Sequence, residues 1–325
     1  MGIRFNPDSH SSFYKYAKWR YEMKVSVVIT TYNEGDEVLR TVESVRENTD
    51  SLAEILVVNE ASTDGSCDNL GDKVVVIKHE ERIGIGFSRN EGAEAATGDV
   101  VAFLDAHQRV DKNCFDKTAA VALEKQAIVC PCTYGLETNK LRGYGAEYRF
   151  NDRGTAGYFT YKFKMRQPRD QLSRCTQLGV PGYCFPKALL PKLHWFRAFR
   201  GWGGNEACLT LKAFFSDIDI FNLQGTKCHH LFKGKSGFQY PVPWTQLARN
   251  QNIVARIVFD EYTYRKHFAE KLRKVYGKRS KSMADDLLAE EEVTREHMEF
   301  QEQKKRSDRE FWRGIMRMWE PDCLK

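Results

Sequence analysis

Short apolar runs and helical periodicities take turns along the first part of the chain. Lys24 to Thr30 is apolar and β-branched and reads as a buried strand. From Glu37 to Glu47, Val38, Val42 and Val45 return to one helical face. Ile55 to Val58 and Val74 to Ile77 read as second and third strands, and Phe87 to Thr97, rich in Ala and Glu, as a helix. Asp99 to Leu104 is a fourth strand, Lys112 to Lys125 a further helix, and Ile128 to Cys130 a short strand. This βαβ rhythm predicts an α/β fold with a mainly parallel, Rossmann-like sheet covered by helices. Ligands of such sheets sit beyond the carboxyl ends of the strands, near a topological switch.

From 131 to 240 the rhythm is lost. Gly143, Gly145, Gly179, Gly182, Gly201, Gly203 and Gly204, with aromatics between them, predict loops grafted on the sheet. After Pro241 and Pro243 the pattern turns helical and stays so, with a break expected at Gly277. The expected organisation is a body over 1–240, its halves at about 24–130 and 131–240, followed by a helical C-terminal extension over 241–325. No internal repeat or low-complexity tract is present.

Composition narrows the class. With 42% hydrophobic residues among 325, the chain can bury a core, which excludes wholesale disorder. Its apolar runs of about five residues fall short of the ~20 that a membrane span needs. The N-terminus mixes charges and aromatics without an apolar centre, so a cytoplasmic setting is expected. Nine cysteines, odd in number and scattered, suit reduced structural thiols better than a disulfide framework. The net charge of +6 suits an anionic ligand such as a nucleotide sugar. Tyr262 to Lys281 holds eight Lys or Arg against Glu270 alone, while Asp285 to Glu310 holds ten acids and five bases. A pair of solvated helices accounts for this, and so does a basic surface for a polyanionic acceptor.

The sharpest chemical signal is Phe103-Leu104-Asp105-Ala106-His107. In extended chain, residues i and i+2 share a side, so Asp105 and His107 can reach one ion. Carboxylate and imidazole, with diphosphate oxygens, suit Mn²⁺ or another divalent cation. An Asp and a His that merely close a strand are the plain alternative. The surrounding order adds weight. Val27 to Glu34 precedes the triplet, then Glu54 to Gly65, then Arg82-Ile83-Gly84 with Arg89. Trp202-Gly203-Gly204-Asn205-Glu206, His230-Leu231-Phe232-Lys233 and Phe259-Asp260-Glu261-Tyr262 follow it.

This ordered set resembles the family 2-like glycosyltransferases of GT-A fold, most closely the catalytic domain of the polypeptide N-acetylgalactosaminyltransferases. The resemblance runs from about Val25 to Phe268 and does not include that family's lectin domain. It implies that Asp105, His107 and His230 hold the metal, with His229 the neighbour that could be mistaken for the third ligand. It implies that Thr30 and Glu60 contact the nucleoside and that Arg82 and Arg89 lie near the diphosphate, where a planar guanidinium fits. Trp202, Asn205 and Glu206 match a loop that embraces the donor sugar. The chain departs from the family's pattern at Asn59-Glu60, which stand where the family has Asp, at Asn205-Glu206, where acid and amide are swapped, and at Pro181-Gly182-Tyr183, where Tyr183 is bulky.

The resemblance thus implies a metal-dependent transferase with a nucleotide-sugar donor, UDP-linked, and retention of configuration. Inversion with Glu206 as base stays open. Two other classes compete: an oxygenase iron site built from the same three ligands, and a non-catalytic binding module. The acceptor is open among a protein Ser or Thr hydroxyl, a glycan or lipid-linked precursor, and a hydroxylated DNA base. Truncation after Gly277 is expected to spare the donor site, because every donor residue precedes it.

Overall fold

The computed structural model describes residues 22–150, 159–233, 244–270 and 278–315. Strands β1 (Val25–Thr31), β2 (Leu52–Asn59), β3 (Val74–Lys78) and β4 (Val100–Asp105) are parallel, in the order β4-β1-β2-β3. Val28 of β1 lies between Leu56 of β2 and Phe103 of β4. β1 is buried along its whole length, as a parallel strand covered on both faces must be. Its side chains alternate between two cores. Val25, Val27 and Ile29 join Val38, Val42 and Val45 of helix α1 (Asp36–Asn48) on one face. Val28 joins Ala93 of helix α2 (Ile85–Ala95) on the other. Helix α3 (Cys114–Lys125) covers the first face.

The second half is more ordered than its glycines suggest. After β5 (Gln108–Val110), strand β6 (Ile128–Gly135) is an eight-residue element, where the sequence predicts only a short one. β7 (Leu141–Gly143) pairs with β6, and β8 (Ala146–Phe150) with β9 (Phe159–Phe163) in a separate hairpin. β10 (Leu172–Cys175), β11 (Cys184–Pro186) and β12 (Ile220–His230) complete a ten-stranded mixed sheet, with β11 between β4 and β6 and β12 between β6 and β10. β12 escapes a hydrophobicity reading because its middle is Asn222, Gln224, Gly225, Thr226 and Lys227. Asn222 and Thr226 are nonetheless buried. A register shift between Leu223 and Lys227, with Gly225 at φ +79°, breaks the period of two. Helix α4 (Asn205–Phe215) enters the same region.

The C-terminal helices α5 (Trp244–Val258), α6 (Lys278–Ala289) and α7 (Glu291–Gln303) do not stand apart. Ile253, Ile257, Leu287, Val293 and Phe300 belong to the same apolar cluster as Phe185 of β11 and Phe215 of α4. Phe311 and Trp312 close that cluster from beyond α7. The expected break at Gly277, residues 1–21, and Lys271, Arg273 and Lys274 of the basic stretch lie outside the described residues. All eight described cysteines are buried and free of disulfides. Among the described residues no helix is long and apolar enough to cross a membrane.

Candidate active site

β11 is antiparallel to both β4 and β6, so β1, β2, β3, β4, β6 and β12 all run one way. Their carboxyl ends share an edge. Asp105 closes β4 and His230 closes β12. His107 stands not in extended chain but in the tight turn between β4 and β5, so it reaches Asp105 by a route other than strand alternation. β5 pairs antiparallel with β12 and sets Gln108 opposite His230. Asp105 Oδ2 is thereby 3.4 Å from His230 Nε2, although the residues are 125 apart in sequence. The rings of His107 and His230 are 5.0 Å apart. One ligand atom from each of Asp105, His107 and His230 lies within 4.8 Å of the others. His229 faces the other way, its Nε2 2.9 Å from Asp111 Oδ1, as alternation along β12 requires.

Side chains to which the sequence assigned no role hold the trio. Glu34 Oε2 lies 3.2 Å from His107 Nδ1 and accepts from Lys233 Nζ at 2.5 Å. Gln108 is fully buried; its Oε1 accepts from Asp105 N at 2.7 Å and its Nε2 donates to Pro181 O at 2.9 Å. Glu34 had a signal, a carboxylate just past an apolar strand. Gln108 had none, because Pro181 is 73 residues away. Arg89 is 2% exposed and was expected near the diphosphate. Its guanidinium is engaged within the protein, donating to Glu206 Oε1 at 2.8 Å, Asp105 Oδ1 at 3.2 Å and the Tyr183 hydroxyl at 3.3 Å. Burial alone would raise the Asp105 carboxyl, but the His230 hydrogen bond and the Arg89 charge hold it well below the usual carboxylate range. Burial works against the Arg89 cation too, and the groups around it, Tyr183, Glu206 and Asp105, outweigh that and keep it charged.

A cleft of about 500 Å³ opens over this edge and is bordered by Thr30, Glu60, Arg82, Arg89, Asp105, His107, Trp202, Asn205, Glu206 and His230. Every site residue singled out from the sequence is among them. Arg82 stacks over the Tyr32 ring at 4.2 Å. Glu60 is buried and doubly occupied: it accepts from Gly84 N at 2.9 Å and from Ser88 Oγ, and lies 3.2 Å from His79 Nδ1. It therefore caps α2 as well as facing the cleft. Trp202 precedes α4 on a loop where Gly201, Gly203 and Gly204 all have positive φ, and Glu206 sits in that helix's first turn. Tyr183 does not intrude on the cleft. It is fully buried, 5.7 Å from the Phe103 ring, so its bulk fills the core instead.

Residues 26–192 match the sequence model of glycosyl transferase family 2. YibD, an uncharacterized glycosyltransferase of Escherichia coli (strain K12), is 34% identical over 114 residues, covering 34% of this chain and 33% of its own. Polypeptide N-acetylgalactosaminyltransferase 10 of Mus musculus is 26% identical over 262 residues, covering 73% of this chain and 42% of its own. The chain thus spans less than half the length of these two relatives. The crystal structure of GalNAc-T7 with UDP, GalNAc and Mn²⁺ superposes with a TM-score of 0.72 at 18% identity, over 91% of this chain and 57% of that one. At that identity the likeness speaks for the fold: a mostly parallel mixed sheet flanked by helices, the GT-A arrangement.

Proposed function

Because the chain belongs to glycosyl transferase family 2, we propose that it moves a sugar from a UDP-linked donor to an acceptor hydroxyl, using a divalent cation held by Asp105, His107 and His230. The observation that carries this reading is the meeting of those three side chains at the carboxyl edge of the sheet, within the cleft. The donor set fits Mn²⁺: two imidazoles and a carboxylate favour a transition metal over Ca²⁺. The charge fits as well: Asp105 and Glu206 share the one guanidinium of Arg89, and Glu34 pairs with Lys233. Among the described residues the buried His230 Nδ1 atom has no hydrogen-bond partner. Bound there, the cation would neutralise charge developing on the leaving diphosphate.

The chain's own residues do the rest. Glu34 receives the far side of His107 and fixes that ring's orientation. Arg89 ties Asp105 to Glu206, and so sets the metal end of the cleft against its sugar end. Arg82 at the cleft wall is the guanidinium placed for a phosphate. Thr30 and Glu60, at the ends of β1 and β2, take the nucleoside. Trp202, Asn205 and Glu206 take the sugar. With retention, the leaving phosphate accepts the acceptor's proton on the reacting face, and no side-chain base is needed. A serine or threonine hydroxyl on protein is the acceptor we favour, from the names of the relatives. Glu206 as the base of an inverting reaction is the second reading, favoured by its place in the cleft.

Hydrolysis of a panel of nucleotide sugars tests the proposal. Turnover of a UDP-sugar should stop in EDTA and return with Mn²⁺ better than with Ca²⁺. Full turnover in EDTA would sink the metal assignment, and the anomeric proton of the product, read by NMR, separates retention from inversion.

A further inference from the structure

The backbone from Arg197 to Gly204 leads into the loop that carries Trp202, and it belongs to neither a helix nor a strand. Its polar groups still need partners. Several of those partners are side chains of the C-terminal helices. Glu296 of α7 accepts from Arg197 N at 2.9 Å and from Ala198 N at 3.2 Å. Arg249 of α5 donates to Ala198 O at 3.0 Å and is itself held by both carboxylate oxygens of Glu290. Asn250, fully buried on α5, does most. Its Nδ2 faces three carbonyls, Arg200 O at 2.8 Å, Gly203 O at 3.1 Å and Trp202 O at 3.4 Å. Its Oδ1 accepts from Gln246 Nε2 at 3.0 Å and from Arg200 N at 3.4 Å.

Three carbonyls can converge on one amide only if the chain curls tightly. The positive φ of Gly201 (+58°), Gly203 (+104°) and Gly204 (+81°) supplies the curl. A Cβ on Gly203 would sit 2.3 Å from Leu247 Cδ1, so loop and helix are in direct contact.

We infer that Asn250 is the positioning residue of the donor-sugar loop. By gathering the carbonyls of Arg200, Trp202 and Gly203 it sets where Trp202, Asn205 and Glu206 stand, and so governs how the cleft grips a sugar but not how it grips a nucleotide. This rests on the reading of the cleft as a nucleotide-sugar site. Asn250's hydrogen bonds to the loop go to main-chain atoms, the carbonyls of Arg200, Trp202 and Gly203 and the amide of Arg200. It acts through the loop's backbone.

The discriminating variant is Asn250→Asp, which keeps the size and the acceptor oxygen but replaces the amide donor with a carboxylate facing three carbonyls. The control is Asn252→Asp. Asn252 is equally buried on the same helix, and its amide donates within that helix to Ala248 O at 2.8 Å. Binding of UDP and of UDP-N-acetylgalactosamine, with Mn²⁺, is measured by calorimetry on the full chain, alongside thermal denaturation. In Asn250→Asp the sugar nucleotide should bind about tenfold more weakly, with UDP unchanged, while Asn252→Asp alters neither ratio. Gln246→Ala, which frees the Asn250 amide to rotate, should give a smaller loss of the same kind and serves if Asn250→Asp does not fold. Equal weakening of UDP and sugar nucleotide, or no weakening in the folded variants, overturns the inference. Failure of the unaltered chain to bind UDP at all overturns instead the donor reading beneath it.

Discussion

His229 and His230 are neighbours that do opposite things. One pairs with Asp111 on the far face of β12, the other meets Asp105 and His107 in the cleft. Their chemistry is identical, so only the pairing of β5 with β12 decides between them. We expect His230→Ala to abolish metal-dependent donor hydrolysis and to remove most Mn²⁺ affinity measured by titration in the presence of UDP. His229→Ala should keep both, because Asp111 is exposed enough to be solvated alone. An inactive His229→Ala beside an active His230→Ala would reverse the two roles. At this scale Asp105 and His107 were legible from their spacing, though through a turn rather than a strand. His230 was legible only from its place in an ordered series of motifs. Gln108 was not legible at all, since its meaning lies in a backbone carbonyl far along the chain.

At the scale of elements, the start of α2 links two jobs in one carboxylate. Glu60, just past β2, accepts from Gly84 N, one of the backbone donors left unpaired where the helix starts, and from the Ser88 side-chain hydroxyl. A residue whose only task was to contact a nucleoside would leave stability untouched when removed. Glu60→Ala should instead lower stability by about 1–3 kcal/mol, because buried donors lose their acceptor. It should also raise the donor Michaelis constant about tenfold, with a smaller effect on turnover, as loss of uniform binding does. Thermal denaturation and steady-state kinetics on one preparation check both, and unchanged stability would remove the cap from the account. Most helices and strands of 24–130 were readable, as short apolar runs such as β1 or as a helical face such as Val38, Val42 and Val45, whereas the three-residue β5 was not. β12 was not, because a strand with buried Asn222 and Thr226 and a bulge at Gly225 carries no period to read.

For the whole molecule, the C-terminal helices change the picture most. Truncation after Gly277 was expected to spare the donor site. The structure removes that expectation, since Glu290 and Glu296 anchor Arg249, Arg197 and Ala198, and Phe300, Phe311 and Trp312 fill the shared core. A chain ending there should lose cooperative thermal unfolding and donor hydrolysis together; retention of both would show the helices to be dispensable. A gentler probe is Glu296→Gln. Burial pushes the Glu296 carboxyl above its ordinary 4.5, against the pull of the Arg197 and Ala198 amides. An acid raised in the folded state binds its proton more tightly there. The fold thus holds that advantage below pH 4.5 and loses it as pH climbs through the folded value. Thermal midpoints of Glu296→Gln should therefore gain on those of the native chain as pH rises from 4 to 8, the pH range in which carboxyl titration is complete. A gap that does not move with pH would mean the carboxyl is already neutral or is solvated.

The position of β12 between β6 and β10 also sets an order of birth. Asp105 is made 125 residues before the His230 it meets. At ~5–20 residues per second, synthesis separates them by roughly 6–25 s. For about 4–17 s of it, from the end of β6 at Gly135 to the start of β12 at Ile220, β6 has no β12 beside it, and an open strand edge is a template for pairing with other chains. The nascent protein is then most prone to aggregate after β6 has been made and before β12 arrives, and slower elongation across 136–219 would lengthen that exposure rather than relieve it.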